Sequence, residues 1–243
     1  DILTYNQRLK TIANIELKDI KNHHKCTHTL KNMRFVVAGK LTGRKSAIKE
    51  HLEGWQLETG ERFAIPHDEP RRANPVLIRR KEATNLTFGW SMVVPRELTD
   101  EETDAMSALN HILTGTMSSR IFGSARKKGL AYSIFSDTSV GFYDSAWDFG
   151  GQVNIDTAEK LFDVIVRELK KVLSGSISAE DLESVKSYSL GRYQMGAQTV
   201  GQISNFYVGR YFADDFVRDY DGVPASILAV TSEQMIETAR QFF

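Results

Sequence analysis

Two histidines one helical turn apart, His24 and His28, are the first residues in this sequence whose spacing could do chemistry. Imidazoles at positions i and i+4 of a helix can bind Zn²⁺ from one face. A hydrolytic zinc site also needs a third ligand and usually a carboxylate base. The inverted zinc motif H-x-x-E-H would place that glutamate where Thr27 stands. Cys26 would point away from the histidine face of a helix, so the pattern favours a solvated helix end.

A glycine turn followed by Lys45 and Ser46 imitates a phosphate-binding loop. The pattern G-x-x-x-x-G-K-[ST] needs four residues between the glycines and a lysine directly after the second glycine. Here only three residues separate Gly39 from Gly43, and Arg44 precedes the lysine. The loop is too short to wrap a phosphate in the usual way, so the sequence predicts no nucleotide site.

The stretch "RIFGSARKKGLAYSIFS" carries a cluster of cations that starts at Arg126, then Gly129, then an aromatic strand that includes Tyr132. Cations suit a helix C-terminus, and glycine suits the residue after it. A guanidinium and a phenol can also hydrogen-bond to a peptide carbonyl. The stretch therefore predicts a capped helix end and is at the same time a candidate for gripping a substrate.

Composition narrows the class of protein. The chain has 243 residues, enough for one large domain or two small ones, and 41% of them are hydrophobic, which suffices for a sizeable core. Its 31 basic and 31 acidic side chains balance, which argues against a nucleic-acid or membrane-surface protein. No apolar run approaches the ~20 residues of a membrane span. A dense basic stretch has no interleaved aromatic residues and is read as a solvated linker and strand edge: Arg71, Arg72, Arg79, Arg80 and Lys81.

The single cysteine, Cys26, excludes an internal disulfide and favours a reducing, cytoplasmic location. The chain begins at Asp1 without a methionine, and we expect it to be processed or excised from a longer polypeptide.

The predicted helices and strands that must position these residues do not alternate regularly along the chain. In the first part of the chain the pattern predicts a helix over 15–31, a strand over 33–39, a helix over 44–55 and a loop or linker over 56–75. The clearest strand follows at 86–94, where large apolar residues alternate with small or polar ones. Pro95 ends this strand.

Helices and strands are mixed in the second part as well. Thr99 and Glu102 form a capping box for a helix that Gly115 interrupts and that resumes at 120. Two strands (131–137 and 141–153) are followed by three helices, which begin at 157, after Ser178 and after Thr231. Strands that are not separated by helices favour an α+β fold with a mostly antiparallel sheet and helices packed on one face.

The stretch "LNHILTGTMSSRIFGSARKKGLAYSIFS" resembles a hallmark of the insulinase/pitrilysin family of zinc metallopeptidases, which includes the mitochondrial processing peptidases. The non-catalytic half of that family typically carries a helix ending in "SSRLF", then a charged "R-x-K-x-G-L-A-Y", then a strand. The matching residues are Ser118, Ser119, Arg120, Phe122, Arg126, Gly129, Leu130, Ala131 and Tyr132. The upstream "HTLKNMRFVVAGKL" is similar to the family's "Y-x-x-x-N-M-x-L-V-V-A-G-D". The resemblance covers nearly the whole chain in order.

The resemblance implies the C-terminal, inactive half of such an enzyme, with the two-layer fold of processing peptidase-like metallohydrolases. It implies no metal and no catalytic residue in this chain. Zinc is expected in a partner half that carries H-x-x-E-H, in the same polypeptide or in a separate subunit. The two halves would enclose a peptide substrate, which Arg126 and Tyr132 would help to hold. Their spacing is one residue shorter than is common in the family.

The resemblance also implies a division of the chain. Residues 1–55 would close the preceding family domain with a helix, a strand and a helix, 56–75 would be a linker, and 76–243 would be the inactive domain without its final strand. We expect residues 34–38 to fill the vacant position in the sheet, within the chain or between the chains of a homodimer.

Two alternatives remain open at this point. One is a purely structural subunit, like the core proteins of respiratory complexes that share this fold. The other is a self-contained metal hydrolase that uses His24 and His28. Zinc content distinguishes the metal hydrolase from the peptidase half. A partner that carries H-x-x-E-H distinguishes the peptidase half from the structural subunit.

Overall fold

The computed structural model describes residues 3–64, 67, 74–214 and 218–243. Its strands are β1 (Asn85–Val94), β2 (Ala131–Val140) and β3 (Ser145–Asn154). Its helices are α1 (Tyr5–Ala13), α2 (Leu17–Thr27), α3 (Lys45–Glu53), α4 (Asp100–Asn110), α5 (Arg120–Lys127), α6 (Ala158–Leu173), α7 (Ala179–Gly196), α8 (Val200–Asp214), α9 (Val223–Ala229) and α10 (Ser232–Arg240). A π-helical turn, His111–Gly115, continues α4.

Contacts divide the chain into two compact units. The first consists of Asp1–Pro66 and Gly196–Tyr220, and the second of His67–Met195 and Asp221–Phe243. The boundary after Pro66 falls inside the predicted linker, whereas the return of 196–220 to the first unit was not predicted. Residues 65, 66 and 68–73 of that linker, with Arg71 and Arg72, lie outside the described residues.

The first unit corrects two predictions. The helix expected over 15–31 is shorter, because α2 begins at Leu17 and ends at Thr27, where His28 leaves the helical conformation with ψ 70°. Helix α1 precedes it and was not predicted. Residues 33–39 form no strand. Instead, the residues just before them bind the segment 58–61. The backbone amide of Leu30 donates to the carbonyl of Glu58 at 3.0 Å, and the side-chain amide of Asn32 donates to the backbone carbonyl of Glu61 at 2.7 Å.

The expected replacement of a sheet strand by residues 34–38 is therefore wrong within this chain. A strand needs a neighbour for its backbone N–H and C=O groups, and these residues have no ladder partner among the described residues. The number of closing helices was also wrong, because α8 and α9 lie between α7 and α10. The apolar residues of α8 are spread around the helix and leave no single face to detect.

The second unit contains the sheet, which confirms the α+β prediction. The described strands are antiparallel in the order β1-β3-β2. Alternate residues of β1 and β3 face the helices, and the register places Trp90 opposite Phe149 on that inner face. Helices α4, α5 and α6 pack on the sheet, and α10 packs on α4 and α6. The largest fully buried side chains are Trp147, Phe149, Met106, Leu109, Leu113, Ile121, Leu161, Ile165 and Met235.

Local signals at the helix ends of this unit are confirmed. Thr99 and Glu102 form the expected capping box of α4, and Thr231 and Gln234 form that of α10. Ser178 accepts a hydrogen bond from the backbone of Asp181 at 3.1 Å and caps α7. Side-chain acceptors at these positions satisfy backbone N–H groups that have no partner within the helix.

Buried polar atoms join the helices to the sheet. Trp147 is fully buried and donates its indole N–H to the side-chain oxygen of Asn110 at 3.0 Å. Asn110 in turn donates its amide to the backbone carbonyl of Ser136 at 2.9 Å. The end of α4 is thereby fixed to both β2 and β3.

Candidate functional site

The turn between α5 and β2 is built around Gly129, which has φ +62°. The amide of Gly129 donates to the carbonyl of Arg126 at 3.0 Å. The amide of Leu130 donates to the carbonyl of Ala125 at 2.9 Å. These two bonds define a Schellman motif, and the burial of Leu130 and Ala125 supplies its usual apolar contact. A Cβ on Gly129 would meet no atom within 4 Å, so its left-handed backbone is the feature that requires glycine.

The strand that leaves this turn begins with a β-bulge at Tyr132. Ala131 pairs with Val153 and Ser133 with Gln152, so Tyr132 has no residue opposite it in the register. A bulge bends its strand and re-aims a side chain. Tyr132 is 85% exposed, the highest exposure of any tyrosine among the described residues.

The outer face of the sheet, which is turned away from the helices, carries mostly small side chains. Gly89 pairs with Gly150 across β1 and β3. The ring of Phe135 lies on Gly150, because a Cβ there would be 2.4 Å from a ring carbon. Asp137 and Asp148 are direct partners in the register of β2 and β3. Ser91 donates its hydroxyl to the carboxylate of Asp148.

An open groove of about 1250 Å³ runs along this face. Gly89, Ser91, Phe135 and Asp148 line it from the outer face. It continues around the edge of β1 to Trp90 and other residues of the inner face. The outer face thus offers an extended, shallow surface and not an enclosed pocket.

Both predicted site residues lie at the α5–β2 turn. Arg126 is exposed in the last turn of α5, and Tyr132 is exposed where β2 begins. Their assignment to substrate binding stays a prediction. Sequence reasoning missed Phe135, Asp137 and Asp148, because only the strand register shows that they are neighbours on one face.

Arg120, another basic residue of this stretch, has a structural partner. It donates to the carboxylate of Asp181 and to the carbonyl of Ser176 at 2.7 Å. Burial raises the pKa of Asp181, but hydrogen bonds from Arg120 and Ser178 outweigh that effect and hold the pKa below its ordinary value. The pair joins the start of α5 to the start of α7.

A second structural pair was not predicted. The hydrogen bond from Arg96 is the main cause that lowers the pKa of Glu102 to about 2, although burial opposes it. Gln241 also donates to Glu102, at 2.9 Å, so this carboxylate joins the start of α4 to the end of α10.

The histidines considered for zinc lie elsewhere. The rings of His24 and His28 stack with their centroids 3.9 Å apart, and Cys26 is exposed. Among the described residues, no group of three or more histidine, cysteine or carboxylate side chains is arranged to hold a metal ion. A hydrolytic zinc site needs at least three protein ligands, so these residues do not fit one.

No helix within the described ranges is both long and apolar enough to cross a membrane.

Comparison with known proteins finds a matching family and relatives described as zinc proteases. The family model described as the peptidase M16 inactive domain matches residues 14–188. An uncharacterized zinc protease, YmxG, of Bacillus subtilis is 24% identical over an alignment of 247 positions, which covers 96% of this chain and 57% of that protein. A second, SCO5738 of Streptomyces coelicolor, is 30% identical over 145 residues, or 58% of this chain and 31% of that protein.

Solved structures share the fold. The peptidase M16 inactive domain from Pseudomonas fluorescens matches with a TM-score of 0.75 at 16% identity, and the match covers 96% of this chain and 56% of that chain. A protease from Helicobacter pylori matches with a TM-score of 0.73 at 20% identity, and the match covers 97% of this chain and 58% of that chain. The chain therefore spans a little over half the length of these two structures and of YmxG. With residues 14–188 matched by the family model, it belongs to the peptidase M16 inactive domain family, and the resemblance to the insulinase/pitrilysin zinc metallopeptidases is confirmed.

Proposed function

We propose that this chain is the non-catalytic half of a zinc metalloendopeptidase and holds peptide against a zinc-bearing half that carries H-x-x-E-H. The observation that carries the proposal is the placement of Tyr132. This residue is the second of β2, sits in a bulge and is 85% exposed, although it lies close to a turn fixed by two hydrogen bonds. An exposed phenol on a rigid backbone is suited to donate a hydrogen bond to a bound molecule.

The outer face of the sheet supports a peptide as that molecule. Small side chains, among them Gly89, Gly150 and Ser91, leave room for an extended chain to approach. Arg126 lies on the same turn as Tyr132 and offers five N–H donors to peptide carbonyls. The zinc-bearing half would supply the hydrolytic chemistry. Tyr132 and Arg126 would orient the peptide and donate to oxygen atoms that gain charge during the reaction.

The first unit supports a further part of the proposal. Helices α1, α2 and α3 contain no buried residue, although Leu9, Ile12 and Ile20 are apolar and 48%, 65% and 59% exposed. Helices with an apolar stripe normally bury it against another element. We therefore propose that residues 1–55 complete a preceding domain of the enzyme and that the inactive domain follows the linker.

A reconstitution experiment tests the proposed function. Zinc content and peptide cleavage are measured for this chain alone, for the H-x-x-E-H half alone and for the two together. We expect zinc only where the H-x-x-E-H half is present and full cleavage only with both. One zinc per isolated chain after dialysis, lost in His24→Ala, would favour the metal hydrolase instead. Full cleavage without this chain would favour the purely structural subunit, which the zinc protease relatives do not support.

A further inference from the structure

The two aspartates that face each other on the outer face of the sheet have no cationic partner among the described residues, although Asp148 accepts from Ser91 and Asp137 from the amide of Thr138 at 2.9 Å. Asp137 of β2 and Asp148 of β3 are direct partners in the register, so their Cβ atoms are about 5 Å apart. Like charges directly opposite each other destabilise a sheet. No cationic side chain among the described residues forms an ion pair with either of them.

These aspartates are also the only charged residues at the outward positions of the three strands. The other outward residues are neutral: Asn85, Thr87, Gly89, Ser91, Val93, Ser133, Phe135, Ser139, Ala146, Gly150, Gln152 and Asn154. The negative charge is therefore concentrated at one point of an otherwise neutral surface. A cation that approaches the strands from this side is attracted toward that point.

An aromatic surface adjoins the carboxylates. Phe135 and Gly150 are the next outward pair along the same two strands, two residues from Asp137 and Asp148 and therefore about 7 Å away. The end of the Phe135 ring lies against Gly150, and the side chain is 57% exposed. The long aliphatic stem of a lysine or arginine can pack on such a ring while its charged end reaches the carboxylates.

From this charge complementarity we propose that Asp137, Asp148 and Phe135 form a subsite for a basic side chain of the peptide. The inference rests on the proposed function and adds the class of substrate: extended peptides with a lysine or arginine. Asp148 lines the groove along the outer face, so a peptide in that groove passes the subsite. Ser91 donates to Asp148 and orients its carboxylate. Asp137 and Tyr132 are five residues apart on β2, which corresponds to roughly 17 Å of extended chain.

The test uses the assembled enzyme and a series of matched peptides. One lysine is moved along a neutral peptide residue by residue, and each position is also made with methionine or glutamate. For the wild type we expect kcat/KM to be highest with lysine and lowest with glutamate at one position. Asp137→Asn and Asp148→Asn should each lower the lysine preference there about 5-fold, the size of an exposed ion pair. The preference should also weaken as salt is added.

Controls separate this subsite from other effects. Asp163→Asn removes an exposed carboxylate from α6, in the helical layer, and should leave the preference unchanged. Asp137→Asn should not lower the free energy of unfolding, because it relieves a like-charge pair. A marked loss of stability would assign Asp137 a structural role and overturn the inference.

The outcomes distinguish the two proposals. If the wild type cleaves all peptides equally, or if the double variant of Asp137 and Asp148 keeps the lysine preference, the basic subsite is wrong and the peptidase role stands. If the assembled wild type cleaves no peptide, the proposed function is overturned and the subsite with it.

Discussion

The amide of Leu130 donates a hydrogen bond to the carbonyl of Ala125 at 2.9 Å, and this bond closes the turn between α5 and β2. Arg126 lies on the helix side of the closed turn and Tyr132 on the strand side. The turn thus determines the backbone positions of the two residues proposed to contact the peptide. Their geometry depends on a backbone motif that involves no side chain of either residue.

Gly129→Ala tests that motif. The left-handed backbone of Gly129, φ +62°, disfavours a Cβ and should cost about 1 kcal/mol in the free energy of unfolding, measured with urea. Gly191→Ala is the matched control, because Gly191 lies within α7 and a Cβ there meets no atom within 4 Å. Alanine should stabilise that helix by up to about 1 kcal/mol. Equal stability of the two variants would show that the turn is not strained by a side chain.

Asn110→Ala tests the link between helix and sheet. The change leaves the buried indole N–H of Trp147 without its acceptor and should lower the free energy of unfolding by about 2 kcal/mol. In a background that already carries Trp147→Phe, the same change should cost clearly less. Equal costs in the two backgrounds would mean that the indole contact contributes nothing to stability.

Glu102 should make unfolding dependent on pH in acid. The hydrogen bond from Arg96 is the main cause that lowers the pKa of Glu102 from its ordinary 4.5 to about 2. A depressed carboxylate pKa stabilises the folded state above the unfolded-state value, and this contribution is lost as the pH falls from about 4.5 to about 2. Glu102→Gln should flatten the acid limb of a stability profile over that window. Glu101→Gln, in the same helical turn, serves as the control. An unchanged profile in Glu102→Gln would contradict the assignment.

Helices α1–α3 should change on assembly. The large apolar side chains of α1 and α2 are exposed and Ile48 and Leu52 of α3 are half-buried, so the amides of these helices should exchange with solvent rapidly when the chain is alone. Addition of the zinc-bearing half should slow exchange in these helices far more than in α6, which buries Leu161 and Ile165 within the second unit. Exchange that stays rapid in α1–α3 after assembly would contradict the proposed completion of a preceding domain.

Most of the second unit could be predicted from the sequence, because its signals are local. Alternation over 86–94 predicted β1, and Thr99 with Glu102 predicted the start of α4. These patterns depend on residues a few positions apart. The α+β class followed from the order of the elements.

Long-range pairing could not be predicted in this way. "MRFVVAG" has the composition of a strand, but a strand also needs a neighbour, and residues 33–39 have none among the described residues. Tyr132 was selected by resemblance, yet its bulge depends on the register of β2 against β3. The proximity of Asp137 and Asp148 depends on the same register. The cytoplasmic location, the homodimer and the substrate roles of Arg126 and Tyr132 stay predictions.

Arg126→Ala should lower kcat/KM of the assembled enzyme, with zinc content and folding unchanged. A contact that only positions the peptide should act mainly through KM. Lys127→Ala is the control, because Lys127 is the exposed neighbour in the same last turn of α5. A larger loss in Lys127→Ala than in Arg126→Ala would assign the contact to the lysine.

The most direct measurement of the central claim is kcat/KM of the assembled enzyme with Tyr132→Phe. The substitution keeps the ring and removes only the hydroxyl, so a loss of activity reports the hydrogen bond itself. If the hydroxyl donates to an oxygen that gains charge in the transition state, kcat/KM should fall by about 10²- to 10³-fold at unchanged zinc content and unfolding midpoint. Tyr143→Phe, at the far end of the β2–β3 hairpin, should leave kcat/KM unchanged. An unchanged kcat/KM in Tyr132→Phe would contradict the account and leave Tyr132 as an ordinary residue of a bulged strand.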